Sequence, residues 1–214
     1  MDLDRLRKNL AEVRERIQAA CRRAGRDPGQ VTLVVVTKSA PPEVIPALAE
    51  LGVTEMGENR ALEGLSRLGS LKGVRRHMIG HLQTNKVRKV LEWADVIHSV
   101  DRPSLLAELG RHNTRPPVFV QVNISGEATK GGFPPGLAPQ AVREAARTHE
   151  VLGLMTMAPR GGDPRACFRS LRELSGRCGV GGLSMGMTED FEAAVEEGAT
   201  IVRIGSAIFE GVLL

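Results

Sequence analysis

Tyrosine is absent from this 214-residue chain, tryptophan occurs once, at Trp93, and aromatic residues make up only 3%. The net charge is +4, but the basic residues are scattered and sit beside acids on helical stretches, as in Arg14/Glu15, Arg143/Glu144 and Arg172/Glu173. With no basic stripe interleaved with aromatics, nucleic acid is not an expected partner. Long apolar runs are also missing: charges interrupt each one well before the roughly 18 residues of a membrane span. The three cysteines, Cys21, Cys167 and Cys178, are odd in number and lack CxxC spacing, which fits neither a disulfide framework nor a zinc site. They are expected to be free thiols in a reducing compartment, with no metal bound. The N-terminal MDLDRLRKNL is charged and helical in pattern, unlike a signal peptide. The expectation is a cytoplasmic protein without a membrane partner.

What is present is alternation. Leu3, Leu6, Leu10, Val13, Ile17 and Ala20 recur at spacings of three and four and predict an N-terminal helix over 2–24, ended by Gly25, Pro28 and Gly29. VTLVVVTK (31–38) is β-branched and almost continuously apolar, which suits a strand buried on both faces of a parallel sheet. Further short strand patterns fall at 53–56, 76–79, 95–99, 117–123, 151–156, 181–185 and 200–204. Helical patterns fill the gaps, at 59–69, 83–92, 103–112, 138–148, 164–177 and 189–197, with a last one from about 206. Eight strands alternating with helices give the count of a (β/α)8 TIM-type barrel, an α/β fold, rather than a doubly wound open sheet. One domain over 1–214 is expected, with 1–27 packed on the barrel as an extra N-terminal helix.

In such a barrel the chemistry sits at the C-terminal ends of the strands. Those ends here are polar and glycine-rich: Thr37-Lys38, Gly57-Glu58-Asn59, Gly80-His81, Asn123-Ile124-Ser125, Met155-Thr156-Met157, Ser184-Met185-Gly186-Met187-Thr188 and Arg203-Ile204-Gly205-Ser206. Lys38 directly follows a buried strand, where partial desolvation would favour a neutral amine able to condense with an aldehyde. The alternative is a solvated lysine, or one paired with Glu58. Gly186 and Gly205 would let backbone N–H groups approach an anion, and Thr188 and Ser206 would add hydroxyls. Plain helix capping would use the same residue types. Arg203 lies inside an apolar strand and needs a buried partner, which could be a phosphate, a ring nitrogen or a carboxylate. His77, His81 and His98 lack metal-ligand spacing and read as structural.

The motifs VTKSAPPEVI, GENRALE, HMIGHLQTNKVR, IHSVD, QVNISGEATKGGF, GLMTMAP and LSMGMTEDFEAAVEEGATIVRIGSAIFEG together resemble the pyridoxal phosphate homeostasis proteins. The resemblance runs in order from about residue 31 to 211. It implies a fold type III barrel like that of alanine racemases, without their C-terminal β domain. It implies that Lys38 carries pyridoxal 5'-phosphate (PLP) as a Schiff base. Thr188, Gly205 and Ser206 would hold the phosphate and Arg203 would face the pyridine nitrogen. Asn59, Met155, Ser184, Gly186 and Met187 would line the pocket. Ser206 stands where many relatives carry threonine, which keeps the hydroxyl.

The cofactor does not by itself decide the function. An arginine at the pyridine nitrogen leaves it unprotonated and makes a weak electron sink. Racemases of this type supply a second base, a tyrosine from their extra domain, and this chain has no tyrosine. The expected role is therefore a monomeric, non-catalytic PLP carrier or buffer in vitamin B6 homeostasis, with apo-PLP enzymes as possible acceptors and no catalytic residues. A single-base PLP-dependent amino-acid racemase is the alternative. A barrel using Lys38 for aldolase or phosphosugar chemistry without PLP is a third reading.

Overall fold

The run VTLVVV is apolar at every position but Thr32, as suits a strand whose two faces are both buried. The computed structural model, which describes residues 2–38, 40–159 and 161–212, places it as β1 (Thr32–Val36). Val34 and Val36 face one hydrophobic cluster and Val35 another. Seven parallel strands follow: β2 (Glu55–Glu58), β3 (Arg75–Met78), β4 (Val96–Val100), β5 (Val118–Gln121), β6 (Val151–Met155), β7 (Gly182–Ser184) and β8 (Ile201–Ile204). They form a closed barrel in chain order, β8 returning to β1 with Thr32 opposite Ile201 and Val35 opposite Ile204. A helix follows each strand: α2 (Val44–Glu50), α3 (Glu63–Leu68), α4 (Val87–Val90), α5 (Pro103–Gly110), α6 (Ala138–Ala145), α7 (Pro164–Cys178), α8 (Phe191–Glu196) and α9 (Ser206–Phe209). One more, α1 (Leu3–Arg23), precedes the barrel. The architecture expected from the alternation is the one found.

The two-residue period of the strands sorts side chains into two layers. Val35, Met56, Met78, Ile97, Leu154, Leu183 and Val202 point outward and pack with the helices in the main core. Inside the barrel, Val34, Val36 and Ile79 form one small apolar cluster and Val96, Phe119 and Met155 another. The positions between them are polar. His77, His98, Ser184 and Arg203 are all buried there.

Helix α1 begins where the Asp2 carboxylate accepts from the Arg5 N–H at 2.9 Å and ends before Gly25, whose φ of 63° suits glycine. Its apolar stripe, Leu6, Leu10, Val13, Ile17 and Ala20, is buried against the last two helices. Burial of each large aliphatic contributes about 1.5–3 kcal/mol. Asn9 Nδ2 donates to the carbonyls of Ile208 (3.1 Å) and Glu210 (2.8 Å), fixing the helix over the β8–α9 unit.

Most expected boundaries shift by a few residues, and three differences have a particular form. The strand expected at 53–56 runs Glu55–Glu58, because the Val53 N–H bonds to the Leu48 carbonyl and still belongs to the end of α2. The helix expected over 83–92 is a single 3-10 turn, Thr84–Lys86, followed by Val87–Val90. The helix expected over 59–69 is Glu63–Leu68.

Strands β6 and β7 approach so closely that a Cβ on Gly153 would strike the Gly182 carbonyl, and one on Gly182 the Leu152 carbonyl. Gly153→Ala is therefore expected to cost about 1–3 kcal/mol, seen as a lower urea midpoint at unchanged slope. A wild-type midpoint would contradict this contact.

Candidate functional site

The C-terminal ends of the strands surround a cavity of about 1200 Å³. Lys38, Asn59, Met187, Thr188, Arg203, Gly205 and Ser206 all line it, so seven of the ten predicted site residues meet in one space. Met155 and Ser184 lie buried beneath it in the barrel interior. Gly186 packs beneath the start of α8: its φ is 94°, and a Cβ there would lie 2.6 Å from the Ala194 Cβ. A smaller cavity of about 370 Å³ lies at the opposite face between α1, β1 and β2, with none of the predicted residues.

The turn that carries Lys38 is anchored from below. Thr37 is buried, its N–H bonded to the Gly57 carbonyl at 2.8 Å and its hydroxyl 3.1 Å from Glu58 Oε2. Glu58 is fully buried, accepts from the Asn59 N–H at 2.7 Å, and pairs with Arg67 Nε at 3.1 Å. Arg67 Nη2 in turn donates to the carbonyls of Thr37 and Ala40, one on each side of Lys38. The proposed Lys38–Glu58 pair is thus replaced by Glu58–Arg67. Lys38 itself is exposed, so the desolvation expected at this position is not found.

Thr188 and Ser206 are not the caps that the alternative reading required. The N-cap of α8 is Asp190 and that of α9 is Gly205. The two hydroxyls instead meet each other, 2.9 Å apart, across the loops after β7 and β8. Gly205 sits against the barrel rim, where a Cβ would lie 2.8 Å from the Val36 carbonyl oxygen. Asp190 Oδ1 accepts the Met187 N–H at 2.6 Å and braces this loop. Burial raises its pKa above the ordinary carboxylate value, although the nearby Arg203 opposes that rise.

Of the partners weighed from sequence, a carboxylate is not what Arg203 meets within the protein: among the described residues it forms no ion pair and bonds to neutral oxygens instead. Nη1 donates to Ser184 Oγ (2.8 Å) and Nη2 to the Thr156 carbonyl (3.0 Å). Burial lowers its pKa to about 10, so it remains cationic at neutral pH. From Ser184 a chain of contacts crosses the barrel: Ser184 Oγ to His98 Nδ1 (2.7 Å), His98 Nε2 to His77 Nδ1 (2.8 Å), and His77 Nε2 to Glu55 Oε2 (2.6 Å). Donor counting fixes its direction. The Glu55 carboxylate only accepts, so His77 carries its proton on Nε2 and, as a neutral ring, accepts at Nδ1 from His98 Nε2–H, which leaves His98 Nδ1 to accept the Ser184 hydroxyl proton. Burial above all, then His77, Arg203 and Arg75, push the His98 pKa well below 6.5, so this ring is neutral and carries its proton on Nε2. It donates to His77 Nδ1, and His77 Nε2–H donates to the Glu55 carboxylate. Every buried group in the row is satisfied, and a cation near the mouth is joined to an anion at the far rim.

Sequence reasoning read His77 and His98 as separate structural histidines, and no motif marked Glu55. It also left His81 as structural, whereas His81 lines the cavity and its Nδ1 lies 2.8 Å from the buried Asp101 Oδ2. The only signal for that pair was its placement at two strand ends. Asn59 Oδ1 is buried without a hydrogen-bond partner, the mark of a group awaiting a donor. Among the described residues no His/Cys/Asp/Glu cluster has the make-up of a metal site, and no helix is long and apolar enough to cross a membrane.

Comparison with known proteins places this geometry. The family model for the alanine racemase N-terminal domain matches residues 1–211. The pyridoxal phosphate homeostasis protein of Aquifex aeolicus is 42% identical, over 94% of this chain and 95% of that one. The chain belongs to the alanine racemase N-terminal domain family, among the pyridoxal phosphate homeostasis proteins. The Pseudomonas aeruginosa member of that group is 40% identical over 94% of this chain and 93% of its own. Among solved structures, PipY of Synechococcus elongatus with PLP bound superposes with a TM-score of 0.80 at 29% identity, covering 95% of this chain and 99% of that one. Alanine racemase of Corynebacterium glutamicum shares the fold, with a TM-score of 0.74 at 16% identity, and this chain covers 61% of it. The homeostasis-protein barrel is thus the part of the racemase architecture that this chain reproduces.

The buried row fixes both a tautomer pattern and a pH dependence. Nitrogen-15 NMR of His77 and His98 is expected to show both rings protonated on Nε2, and an Nδ1–H signal from His98 would reverse the deduced direction. His98 also sets a pH dependence. Its folded pKa lies well below the 6.5 of the unfolded chain, so unfolding takes up a proton. Stability is full above about pH 6.5 and falls as pH drops below it, by about 1.4 kcal/mol per pH unit. His149, depressed chiefly by burial and then by Arg115, adds in the same direction. Melting temperatures between pH 7.5 and 5.5 should decline, and His98→Gln should flatten the decline.

Proposed function

We propose that this chain binds pyridoxal 5'-phosphate at the barrel mouth, as a Schiff base on Lys38, and serves as a carrier or buffer in intracellular PLP homeostasis. The observation that carries the reading is the convergence, in one cavity, of an exposed lysine amine, a buried guanidinium and the Thr188–Ser206 hydroxyl pair. These residues fit the group. The orphaned Asn59 Oδ1 adds an acceptor with no protein partner, and Gly205 lies too close to the Val36 carbonyl to carry a side chain. Thr188, Gly205 and Ser206 would hold the phosphate, in the loops where barrels commonly place one. Arg203 would direct an N–H at the pyridine nitrogen, and Asn59 and Met187 would flank the ring. Ser184 and Met155 would support it from beneath, and Gly186 would shape the loop after β7. When bound, PLP supplies an electrophilic aldehyde carbon to primary amines.

Arg203 favours storage over carbanion chemistry. A guanidinium donates a hydrogen bond to a ring nitrogen but leaves it without a proton, so the ring draws electrons weakly. The open mouth, with Lys38 exposed, favours exchange with solvent. The relatives' name and the PLP-bound PipY structure support the same role. Apo forms of PLP enzymes in the cytoplasm are the proposed recipients, reached by a monomer.

The test is direct. The chain mixed with PLP should acquire a visible absorbance band, and borohydride should fix the cofactor mass on the Lys38 peptide. Lys38→Ala should keep the wild-type melting temperature and lose both signals. Trapping on another cavity lysine, such as Lys130, would sink the assignment.

A further inference from the structure

One titratable pair in the cavity has no part in holding the cofactor as described. Asp101 follows β4 and its side chain is 4% exposed, while that of His81, after β3, is 61% exposed. Asp101 Oδ1 is ion-paired with Arg102 Nη1 at 2.6 Å, and Arg102 Nη2 is itself tied to the Leu82 carbonyl at 2.8 Å. The other oxygen, Oδ2, lies 2.8 Å from His81 Nδ1. Gly131 closes over that oxygen, where a Cβ would lie 2.9 Å away, and Gln121 Nε2 holds the Gly131 carbonyl at 2.7 Å.

An ionised carboxylate only accepts, so the neutral His81 ring carries its proton on Nδ1 and keeps a lone pair on Nε2, on a side chain that is 61% exposed and lines the cavity. Among the described residues, Nε2 has no hydrogen-bond partner. His77 and His98 differ on this point, since both nitrogens of each are engaged within the barrel. A histidine steered by a buried carboxylate, with its second nitrogen open to a binding cavity, has the arrangement of a general base.

We propose that His81 is a catalytic base for amine exchange at Lys38: its Nε2 removes a proton from the ammonium group of an incoming primary amine. This rests on the reading that PLP is held at Lys38. A primary amine at neutral pH is protonated and has no lone pair with which to attack carbon. Loss of the proton to Nε2 creates the nucleophile, and Asp101 balances the imidazolium that forms. The new bond joins the amine nitrogen to the carbon previously bound to Lys38 Nζ, and the bond to Nζ breaks. Once both nitrogens are joined to that carbon, one of the two hydrogens left on the incoming amine passes to Nζ, and the proton held by His81 completes the released ammonium, so the exchange is balanced in protons and charge. The ligand class is a primary amine, either a free amino acid or a lysine side chain of an acceptor protein.

The experiment has two readouts. The first uses the chain without cofactor: nitrogen-15 NMR should place the neutral His81 proton on Nδ1, and Asp101→Asn should move it toward Nε2. A wild-type proton on Nε2 overturns the proposal whatever the cofactor does. The second uses the PLP-loaded chain and follows loss of its bound-cofactor absorbance on adding excess glycine or Nα-acetyl-lysine. His81→Ala should slow exchange about a hundredfold, with partial rescue by added imidazole, and Asp101→Asn should slow it about tenfold. Borohydride trapping on Lys38 should be unchanged in both. Exchange at the wild-type rate in His81→Ala, or slowing that imidazole does not relieve, overturns the role of His81. Slowing with glycine but not with acetyl-lysine overturns the lysine side chain as ligand and leaves the free amino acid. A chain that never acquires the absorbance fails the cofactor reading instead, and the two failures are thereby distinct.

Discussion

The interior of this barrel is organised around the need to keep a guanidinium inside it. Barrel interiors are ordinarily filled by branched aliphatics, and an unpaired buried cation would cost several kcal/mol. Arg203 is 3% exposed. The chain meets that cost by giving up three more inward positions, His77, His98 and Ser184, to a row of hydrogen bonds that ends on Glu55 at the opposite rim. Neutral groups fill the middle, so opposite charges are held apart with no unsatisfied donor between them. Orientation is the gain. With Nη1 committed to Ser184 and Nη2 to Thr156, the guanidinium plane is set by strands β6 to β8 and not by a mobile loop. Whatever meets Arg203 at the mouth meets a donor already in place, and preorganisation of this kind spares ordering cost at the moment of binding.

The same logic separates the two kinds of histidine. His98 is surrounded, depressed well below its ordinary pKa by burial and neighbouring cations, and serves as a neutral connector. His81 has one side against a buried carboxylate and the other open. The first is a structural element that carries direction; the second keeps a lone pair in reserve. Burial decides between them, since the residue type is the same and both stand on βα units of the same sheet.

Much of the fold was legible because period and punctuation are local. A both-faces-buried strand is continuous in hydrophobicity, as in VTLVVV, and α1 shows its stripe at helical spacing. Lys38, Arg203, Thr188 and Ser206 could be singled out because each stands at a strand end or breaks an apolar strand. The relay could not be read in the same way. It depends on cross-strand register, which puts Gly57 beside His77 and His77 beside Val96, and on closure of the barrel, which brings Ser184 to within reach of a histidine 86 residues earlier. Neither is a property of any short window. Glu55 has no motif at all; its role follows from the ring nitrogen it faces. The Glu58–Arg67 pair was hidden for a similar reason, because no motif links the two positions and Arg67 reaches the carboxylate only when α3 packs under the first turn.

Retention and release thus fall on different groups. The parts that hold are buried and over-determined: Arg203 in its row of hydrogen bonds, and the turn around Lys38 clamped by Arg67 on both flanks. The parts that would change partners as the cofactor comes and goes are more open: the exposed Lys38 and Ser206, the half-buried Thr188 and the outer face of His81. An enzyme that stabilises a carbanion needs its reacting centre enclosed and its ring nitrogen protonated. With the cofactor held as proposed, Arg203 would stand where an acid would supply that proton, and the Lys38 amine would react in contact with solvent. The first feature would weaken carbanion chemistry, and the second would ease the exchange of one amine for another, which is the reaction the proposed carrier requires.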